Sequence, residues 1–558
     1  MPLKSLYHCD IPRVDLPTHV FGGPSSPLPN NKSFIDAERP ERYYLSYESF
    51  RLWSKRVALG FQRAGLKQGE RVLLYSGNSI FFPVVMMGVV MAGGVFTGAN
   101  PSYVARELAY QLQDSGARFL ICAEGSLSTG LEAAKSIGMD KSNIFVFDAG
   151  YDTFDEVGKS VDGIRHWSHF IAPAKDGKSF AWEKLTTPEE LDRIVALNYS
   201  SGTTGVPKGV MLTHYNFVAH TEEVLYMTSL HPDHEAMKSR SAWICFVPMY
   251  HAMGQALFAI SGPTRQIPIY IMQKFDFVKF LEYIQRYRIT DLGLVPPVVL
   301  LMAKHPATRK FDLSSIERVS SGAAPLGREV SVAFEALFPK GKVNIKQGWG
   351  MTETTCTVSA FHPLAVSTSA SIGQLMPNCE AKFVDEAGNE VPQGERGEIW
   401  VRAPQVMKGY WNKPEATAET LTADGWLKTG DIAYADAGGY LFIVDRKKEL
   451  IKVKGNQVAP AELEALLLDH PAVADAAIIG VPAPDNELEE QPRAYVVRSP
   501  GATASADDML QFIAQRVARH KRLTGGVRFV EAIPKNPSGK ILRKELKELG
   551  KRERMAKL

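Results

Sequence analysis

Short apolar runs separated by helical stretches recur through the first half of the chain, and no other feature restricts the fold as much. Runs at 72–75, 119–122, 144–147, 194–197, 243–247, 267–271 and 291–295 have the length of strands and are too short for helices. Strands that alternate with helices are joined by crossovers that favour parallel pairing. The pattern therefore predicts a layered α/β architecture with mostly parallel sheets. Residues 44–66 fit one of the helices, with Tyr47, Phe50, Leu52, Val57, Leu59 and Phe61 on an amphipathic pattern. From Val72 to Val104 no charge occurs, yet Pro83, Gly88, Gly93 and Gly94 interrupt the apolar stretch. Its apolar core is short for crossing a bilayer, so a buried helix and strand are expected there and no transmembrane segment.

Beyond Ile372 the texture changes. Shorter runs at 381–384, 397–401 and 440–444 alternate with Gly and Pro turns and predict a small, twisted β subdomain. A basic stretch, RKKELIKVKG at 446–455, precedes a new unit with a helix at 460–470, strands at 474–481 and 494–497, and a helix at 506–520. That order describes a small α+β domain of normal size. The linker falls at Lys448, giving a large N-terminal domain, 1–447, and a C-terminal domain, 448–558. A chain of 558 residues exceeds what one core supports, which agrees with several units.

Lys and Arg total 64 and Asp and Glu 61, a net charge of +3, so nothing in the balance points to nucleic acid as the partner. Cys9, Cys122, Cys245, Cys356 and Cys379 are scattered without CxxC spacing. Neither a zinc site nor a disulfide framework is expected, and a reducing intracellular setting fits. The opening residues, MPLKSLYHCDIPRVDLP, contain no apolar core of leader length.

The chemistry centres on LNYSSGTTGVPKGVMLTH, 197–214, a loop of glycines and hydroxyls between two apolar runs, with Thr213 placed to cap a following helix. Gly202, Gly205 and Gly209 let backbone N–H groups approach an anion, Ser200, Ser201, Thr203 and Thr204 add donors, and Lys208 adds a positive charge. Such a loop holds a polyphosphate. It is not the usual P-loop, which ends in Gly-Lys-Ser/Thr, because Lys208 stands between Pro207 and Gly209.

Four further places carry candidate groups. In GWGMTE, 348–353, Glu353 follows a tight turn and could hold magnesium against phosphate oxygens, or be an ordinary solvated acid. Asp431 ends GWLKTGD and could bind both hydroxyls of a ribose or simply brace its turn. Arg446, after Asp445, could share that ribose or pair with an acid. Lys540, in PKNPSGKILRKEL, taken alone reads as a solvated lysine of a basic tail, and His251, in PMYHAMG, as a structural histidine.

Together these segments resemble the adenylate-forming ANL superfamily, and within it the acyl-CoA ligases of the 4-coumarate:CoA ligase type. The resemblance rests on YSSGTTGVPKGVMLTH at 199–214, PMYHAMG at 248–254, SSGAAPLG at 320–327, QGWGMTET at 347–354, GWLKTGD at 425–431, DRKKELIKVKGNQVAPAELE at 445–464 and NPSGKILRKEL at 536–546, all in the family's order. It implies a two-step reaction in which a small-molecule carboxylic acid and ATP give an acyl adenylate, which CoA then converts to a thioester. Such chemistry needs positioning and charge neutralisation more than covalent help from the protein.

Carried onto this chain, the resemblance puts Ser200, Ser201, Gly202, Thr203, Thr204 and Lys208 on the phosphates. Ala323, Gln347, Gly348 and Thr352 would lie against the nucleotide, and Asp431 and Arg446 on the ribose. Glu353 and Thr204 would hold Mg2+. Lys540 would sit where the carboxylate meets the α-phosphate, with His251 and Glu353 as its companions in catalysis. Lys448 and Lys452 would belong to two alternate orientations of a swinging C-terminal domain, and Lys274, Lys454 and Gly455 would touch CoA. The acyl pocket would comprise His251, Met253, Leu257, Gly322, Trp349, Gly350, Cys356 and Thr357.

Met253 stands where the plant ligases have a tyrosine against the phenol ring, Leu257 where a small polar residue is usual, and Trp349 where tyrosine is common. These departures imply an apolar acid, a medium-chain fatty acid or an aryl acid of the cinnamate or phenylacetate kind. The last three residues, Ala556-Lys557-Leu558, resemble a peroxisomal address and imply an import receptor as partner and the peroxisome as location. Two other outcomes stay open on this fold: transfer of the adenylate to a carrier thiol or to a luciferase-like oxygenation, and a catalytically silent binding protein.

Overall fold

The computed structural model describes the chain apart from Met1, Ala149, residues 152–153, 155–157, 201–206, 454–455, 484–485, 537–538 and 556–558, and apart from the side chains of 486–489 and 553–555. Two large sheets carry the predicted alternation. The first runs in the order Gly409–Tyr410, Lys208–Thr213, Ile194–Ser200, Val95–Ala99, Arg71–Tyr75, Ala117–Ala123, Ile144–Phe147, Arg165–His166. Its first two pairings in this order are antiparallel, and every later one, from Ile194–Ser200 with Val95–Ala99 onward, is parallel. The second runs Ile345–Gln347, Arg318–Ser321, Asp291–Leu294, Trp243–Cys245, Ile269–Ile271, Lys32–Asp36, Tyr44–Ser46, and only its last pair is antiparallel. Helical crossovers explain the parallel order, since a parallel partner cannot be reached by a tight turn.

The uncharged stretch folds as a helix, Phe82–Met91, with every residue buried, followed by the strand Val95–Ala99. No described helix is long and apolar enough to cross a membrane. The helix Tyr47–Arg63 packs on it, and Gly88 is the point of contact. A Cβ added there would lie 2.6 Å from Val57 Cγ1, so the glycine that interrupts the run in sequence is what lets the two helices touch. The helix begins later than expected because Tyr44–Ser46 pairs with Lys32–Asp36, and the Ser46 side chain then accepts from Ser49 N at 3.1 Å as the cap.

A third sheet, fully antiparallel, follows the order Leu3–Lys4, Glu380–Val384, Gly397–Arg402, Leu427–Ala435, Leu441–Arg446 and forms the expected β subdomain. After it come the hairpin Ile451–Val453 and Asn456–Val458, the helix Pro460–Leu468, the antiparallel ribbon Val473–Ala483 with Asn486–Arg498, the helix Ala506–Ala514, the strand Val527–Phe529 and the helix Arg543–Met555. This C-terminal unit has cores of its own, around Leu463, Ile478, Val496 and Met509 on one face of its sheet and Ile479, Tyr495 and Leu546 on the other. The large core reaches as far as Leu441, with Ile443 packed against it. The helix predicted at 506–520 ends at Ala514, where the backbone tightens and Arg516 N donates to Ile513 O at 2.9 Å. The Arg516 guanidinium caps this end, taking the Phe512 carbonyl at 2.9 Å and stacking 3.6 Å from that ring.

Candidate active site

The strands Ile194–Ser200 and Lys208–Thr213 form an antiparallel hairpin in which Ser200 faces Lys208, so the glycine-rich loop hangs from a two-residue neck. Ser201, Gly202, Thr203 and Thr204 lie outside the described residues. At the neck, Ser200 Oγ donates to Glu353 Oε1 at 2.9 Å, and Tyr410 OH donates to the same oxygen at 2.9 Å. Lys208 Nζ lies 4.8 Å from the centre of the Tyr410 ring. Glu353 is buried, so the reading of it as a solvated turn acid fails. Tyr410 reaches it because Gly409–Tyr410 adds an edge strand in which Tyr410 faces Val210. Burial and the Glu353 carboxylate push the phenol well above its usual range, which keeps it a neutral donor.

On the neighbouring wall, Asp431 and Arg446 face each other across two strands of the antiparallel sheet. Asp431 accepts from Trp349 Nε1 at 2.9 Å, and its other oxygen lies 3.3 Å from Arg446 Nε. Burial raises the Asp431 carboxyl, while Arg446, Trp349 and Lys540 pull it back. Gln347 ends its strand with its side chain buried and accepting from Leu326 N at 3.0 Å, and Gly348 N donates to Ser321 O at 2.9 Å, which ties 320–327 to 347–350. Trp349, expected in the acyl pocket, commits its indole N–H to the Asp431 side of the site.

Lys540 comes from the C-terminal unit. Lys535 and Ile541 pair as a bridge, Lys540 N donates to Asn536 Oδ1 at 2.9 Å, and Asn536 N donates to Lys540 O at 2.9 Å, closing a tight turn that presents the lysine. Gly539 has φ +84°, and a Cβ on it would sit 2.7 Å from Pro297 Cγ, so the turn presses directly on the helix Pro296–Lys304. Its ammonium stands in the field of Arg446, Glu449, Asp431 and Glu353. Burial first, then Arg446, lowers its pKa, and the three carboxylates oppose that. His251 is held below its ordinary value by burial and then by the Lys540 charge, and so is a neutral imidazole. Lys540 is thus a half-buried group among the candidate side chains and not a solvated tail residue.

Two of the acyl-pocket candidates belong to a helical run of unusual pitch or its entry. Met253 leads into a π-helix, Gly254–Ser261, which contains Leu257; wide turns of this kind cluster at functional sites. Met253 Cε lies 3.4 Å from where a Gly293 side chain would begin. Gly322 lies beside the Gly348 carbonyl, Gly350 beside that of Cys356, and Thr357 Oγ1 donates to Cys356 Sγ at 3.6 Å. Ala323 takes a left-handed φ of +73°, and Thr352 opens the turn that carries Glu353. All five cysteines are free. Lys274, Lys448 and Lys452 are exposed and form no ion pair among the described residues, and Lys454 and Gly455 lie outside them.

Residues 27–411 match the AMP-binding enzyme family and 462–540 match the AMP-binding enzyme C-terminal domain. The chain is 40% identical over 544 residues to 4-coumarate--CoA ligase 1 of Petroselinum crispum, covering 95% of this chain and 94% of that protein. It belongs to the AMP-binding enzymes. Within them it falls among the ATP-dependent, adenylate-forming acyl-CoA ligases of the ANL superfamily that resemble 4-coumarate:CoA ligases. The 4-coumarate--CoA ligase of Vanilla planifolia is 40% identical over 509 residues, 90% of this chain and 88% of its own. Among solved structures, ATP-bound MatB from Rhodopseudomonas palustris superposes with a TM-score of 0.79 at 28% identity, covering 96% of this chain and 98% of that one. The anthranilate CoA ligase AuaEII, solved with anthranoyl-AMP, shares the fold with a TM-score of 0.83 at 22% identity, over 97% and 98% of the two chains.

Sequence reading of this AMP-binding enzyme missed two site residues. Tyr410 carries no local signal, because its role depends on an edge pairing two hundred positions away from its partner strand. Arg543 stood inside a quoted motif and was left among the basic residues. Its guanidinium donates to Glu449 at 2.8 Å, to Ile478 O at 2.8 Å and to Glu464 at 3.0 Å, binding the segment after Lys540 to the sheet and to the chain near the linker.

Proposed function

We propose that this enzyme joins an apolar carboxylic acid to CoA through an acyl adenylate. A carboxylate oxygen attacks the α-phosphorus of ATP, the bond to the β-phosphate oxygen breaks and pyrophosphate leaves. The CoA sulfur then attacks the acyl carbon, with AMP as leaving group and the thiol proton passing to solvent. One observation carries the reading: Lys540 lies within electrostatic reach of Asp431, Glu353 and the neutral His251, although it stands 93 positions beyond Lys447 at the end of the large domain. A cation there offsets the repulsion of two anions that must meet.

The remaining roles follow from position. Ser200, Lys208 and the loop between them would cradle the β- and γ-phosphates. Asp431 and Arg446 would take the ribose, with Ala323, Gln347, Gly348 and Thr352 along the nucleotide. A magnesium ion suits the site, since that ion is commonly held by one or two carboxylates together with substrate phosphates; Glu353 would supply the carboxylate, and Thr204, outside the described residues, would be its companion ligand. When bound, the ion would neutralise phosphate charge. Lys448 is the hinge between domains 1–447 and 448–558. Lys452 belongs to one orientation of the swing, and Lys274, Lys454 and Gly455 face CoA in the other.

Met253 and Leu257 give the acid pocket an apolar, adaptable wall, which supports a medium-chain fatty acid or an unsubstituted aryl acid over a hydroxylated cinnamate. The terminal tripeptide, outside the described residues, supports a peroxisomal location, and its deletion should leave a tagged protein in the cytosol. The decisive assay is pyrophosphate release over a panel of acids with and without CoA, followed by mass spectrometry for the thioester. Thioester formed without ATP consumption would defeat the reading.

A further inference from the structure

The helix Pro460–Leu468 lacks what a helix needs at each end. Its N-cap is Ala459, which has no side chain to accept from the first-turn amides. Its last turn contains no basic residue, and Asp469 follows, adding negative charge where the helix dipole is already negative. Both deficits are met from the large domain. Asp445 Oδ2 accepts from Ala461 N at 3.0 Å, and Lys304 Nζ donates to Leu468 O at 3.4 Å and Val473 O at 3.2 Å. Between the two ends, Ala465 Cβ lies 3.7 Å from where a side chain on Gly327 would begin.

The side chains that make these contacts are tied to the candidate active site. Lys304 ends the same helix, Pro296–Lys304, whose Pro297 bears on the Lys540 turn at Gly539, so one rod touches both the delivered lysine and the helix end. Asp445 adjoins Arg446, the partner of Asp431, and is buried beside Arg543 and Glu464. Burial pushes its carboxyl up to about 7, and an oxygen of the group accepts the Ala461 bond whether or not it is ionised.

We propose that Asp445 and Lys304 are positioning residues that hold the C-terminal domain in the orientation that places Lys540 at the reacting centre, by supplying the acceptor and the cation that this helix lacks. The inference rests on the two-step reading above. Swinging the domain about Lys448 would part both contacts at once, so they bias the enzyme toward the first half-reaction and contribute nothing to the second.

The test compares Lys304→Met and Asp445→Ala with the conservative Lys304→Arg and Asp445→Asn, which keep the cation and the acceptor. Pyrophosphate release reports the first step, thioester formation from synthetic acyl adenylate and CoA reports the second, and amide hydrogen exchange across 460–468 reports docking. Lys304→Met and Asp445→Ala should each slow the first step by roughly three- to tenfold. Both should leave the second step unchanged and speed exchange at Ala461, and the conservative pair should restore all three readings. Equal slowing of both steps, or unchanged exchange, would overturn the proposal. Lys304 is exposed, so its loss leaves the core intact should Asp445→Ala prove unstable. If the wild-type chain formed no adenylate, the two-step reading would fall, and exchange in Lys304→Met alone would still decide whether the contact docks the domain.

Discussion

The phosphate end of the site and its lysine end are built in opposite ways. Ser200, Lys208, Glu353 and Tyr410 all belong to the large domain, and Glu353 is pinned by two donors on one oxygen. Lys540 reaches the same place from a separate unit with its own cores, through a turn resting on Pro297 and a helix held at its ends by Asp445 and Lys304. Fixed geometry would suit the half proposed to bind ATP, which has to hold the phosphates before the first step begins. A removable cation suits a step that occurs once and must then clear the way for CoA.

If the phosphate half is rigid because of its hydrogen bonds, removing one should be costly without touching the domain swing. Tyr410→Phe keeps the ring beneath Lys208 but deletes a donor to a buried carboxylate. Adenylation should fall about tenfold, with a higher magnesium requirement, while the ratio of docked to swung orientations stays the same. Magnesium titration of pyrophosphate release measures this. An unchanged rate would mean that Glu353 needs no such support.

The lysine half should answer to smaller insults. Gly539→Ala forces a side chain at positive φ onto Pro297, a strain of about 1–2 kcal/mol that the docked orientation alone has to bear in full. A several-fold loss confined to adenylation is expected, measured by the two half-reactions side by side. A loss in both would erase the contrast between the two ends.

The smallest effect concerns pH. Burial and Arg446 lower Lys540 from the ordinary lysine value of 10.5, so its ammonium is present below a pKa that is itself depressed, and adenylation should decline as pH rises through a point under 10.5. Lys540→Arg, charged throughout that range, should move the decline upward. A pH profile of pyrophosphate release that is the same for both would detach the decline from this side chain.

Much of the fold was legible because strand length and helical spacing are local properties. The run at 194–197 and the cap at Thr213 appear as read, with Thr213 Oγ1 accepting from Asn216 N at 3.2 Å, while the loop at 201–206 lies outside the described residues. Pairings across the chain were not legible. Nothing near Leu3 announces that it faces Ala381, and nothing near Tyr410 announces Val210. The site divides the same way. Glycine-rich turns mark Lys208, Glu353, Asp431 and Lys540 as candidates, but the burial that sets Glu353 and Lys540 apart from ordinary surface charges depends on tertiary neighbours that no sequence window contains.

The central claim is that one cation, carried by a movable domain, serves the first step only. Measuring both half-reactions of Lys540→Ala tests it most directly. Pyrophosphate release should drop by about a hundredfold or more, as on loss of a preorganised charge at a reacting phosphoryl group, while synthetic acyl adenylate still passes to CoA at the wild-type rate. Equal loss in both steps would contradict it.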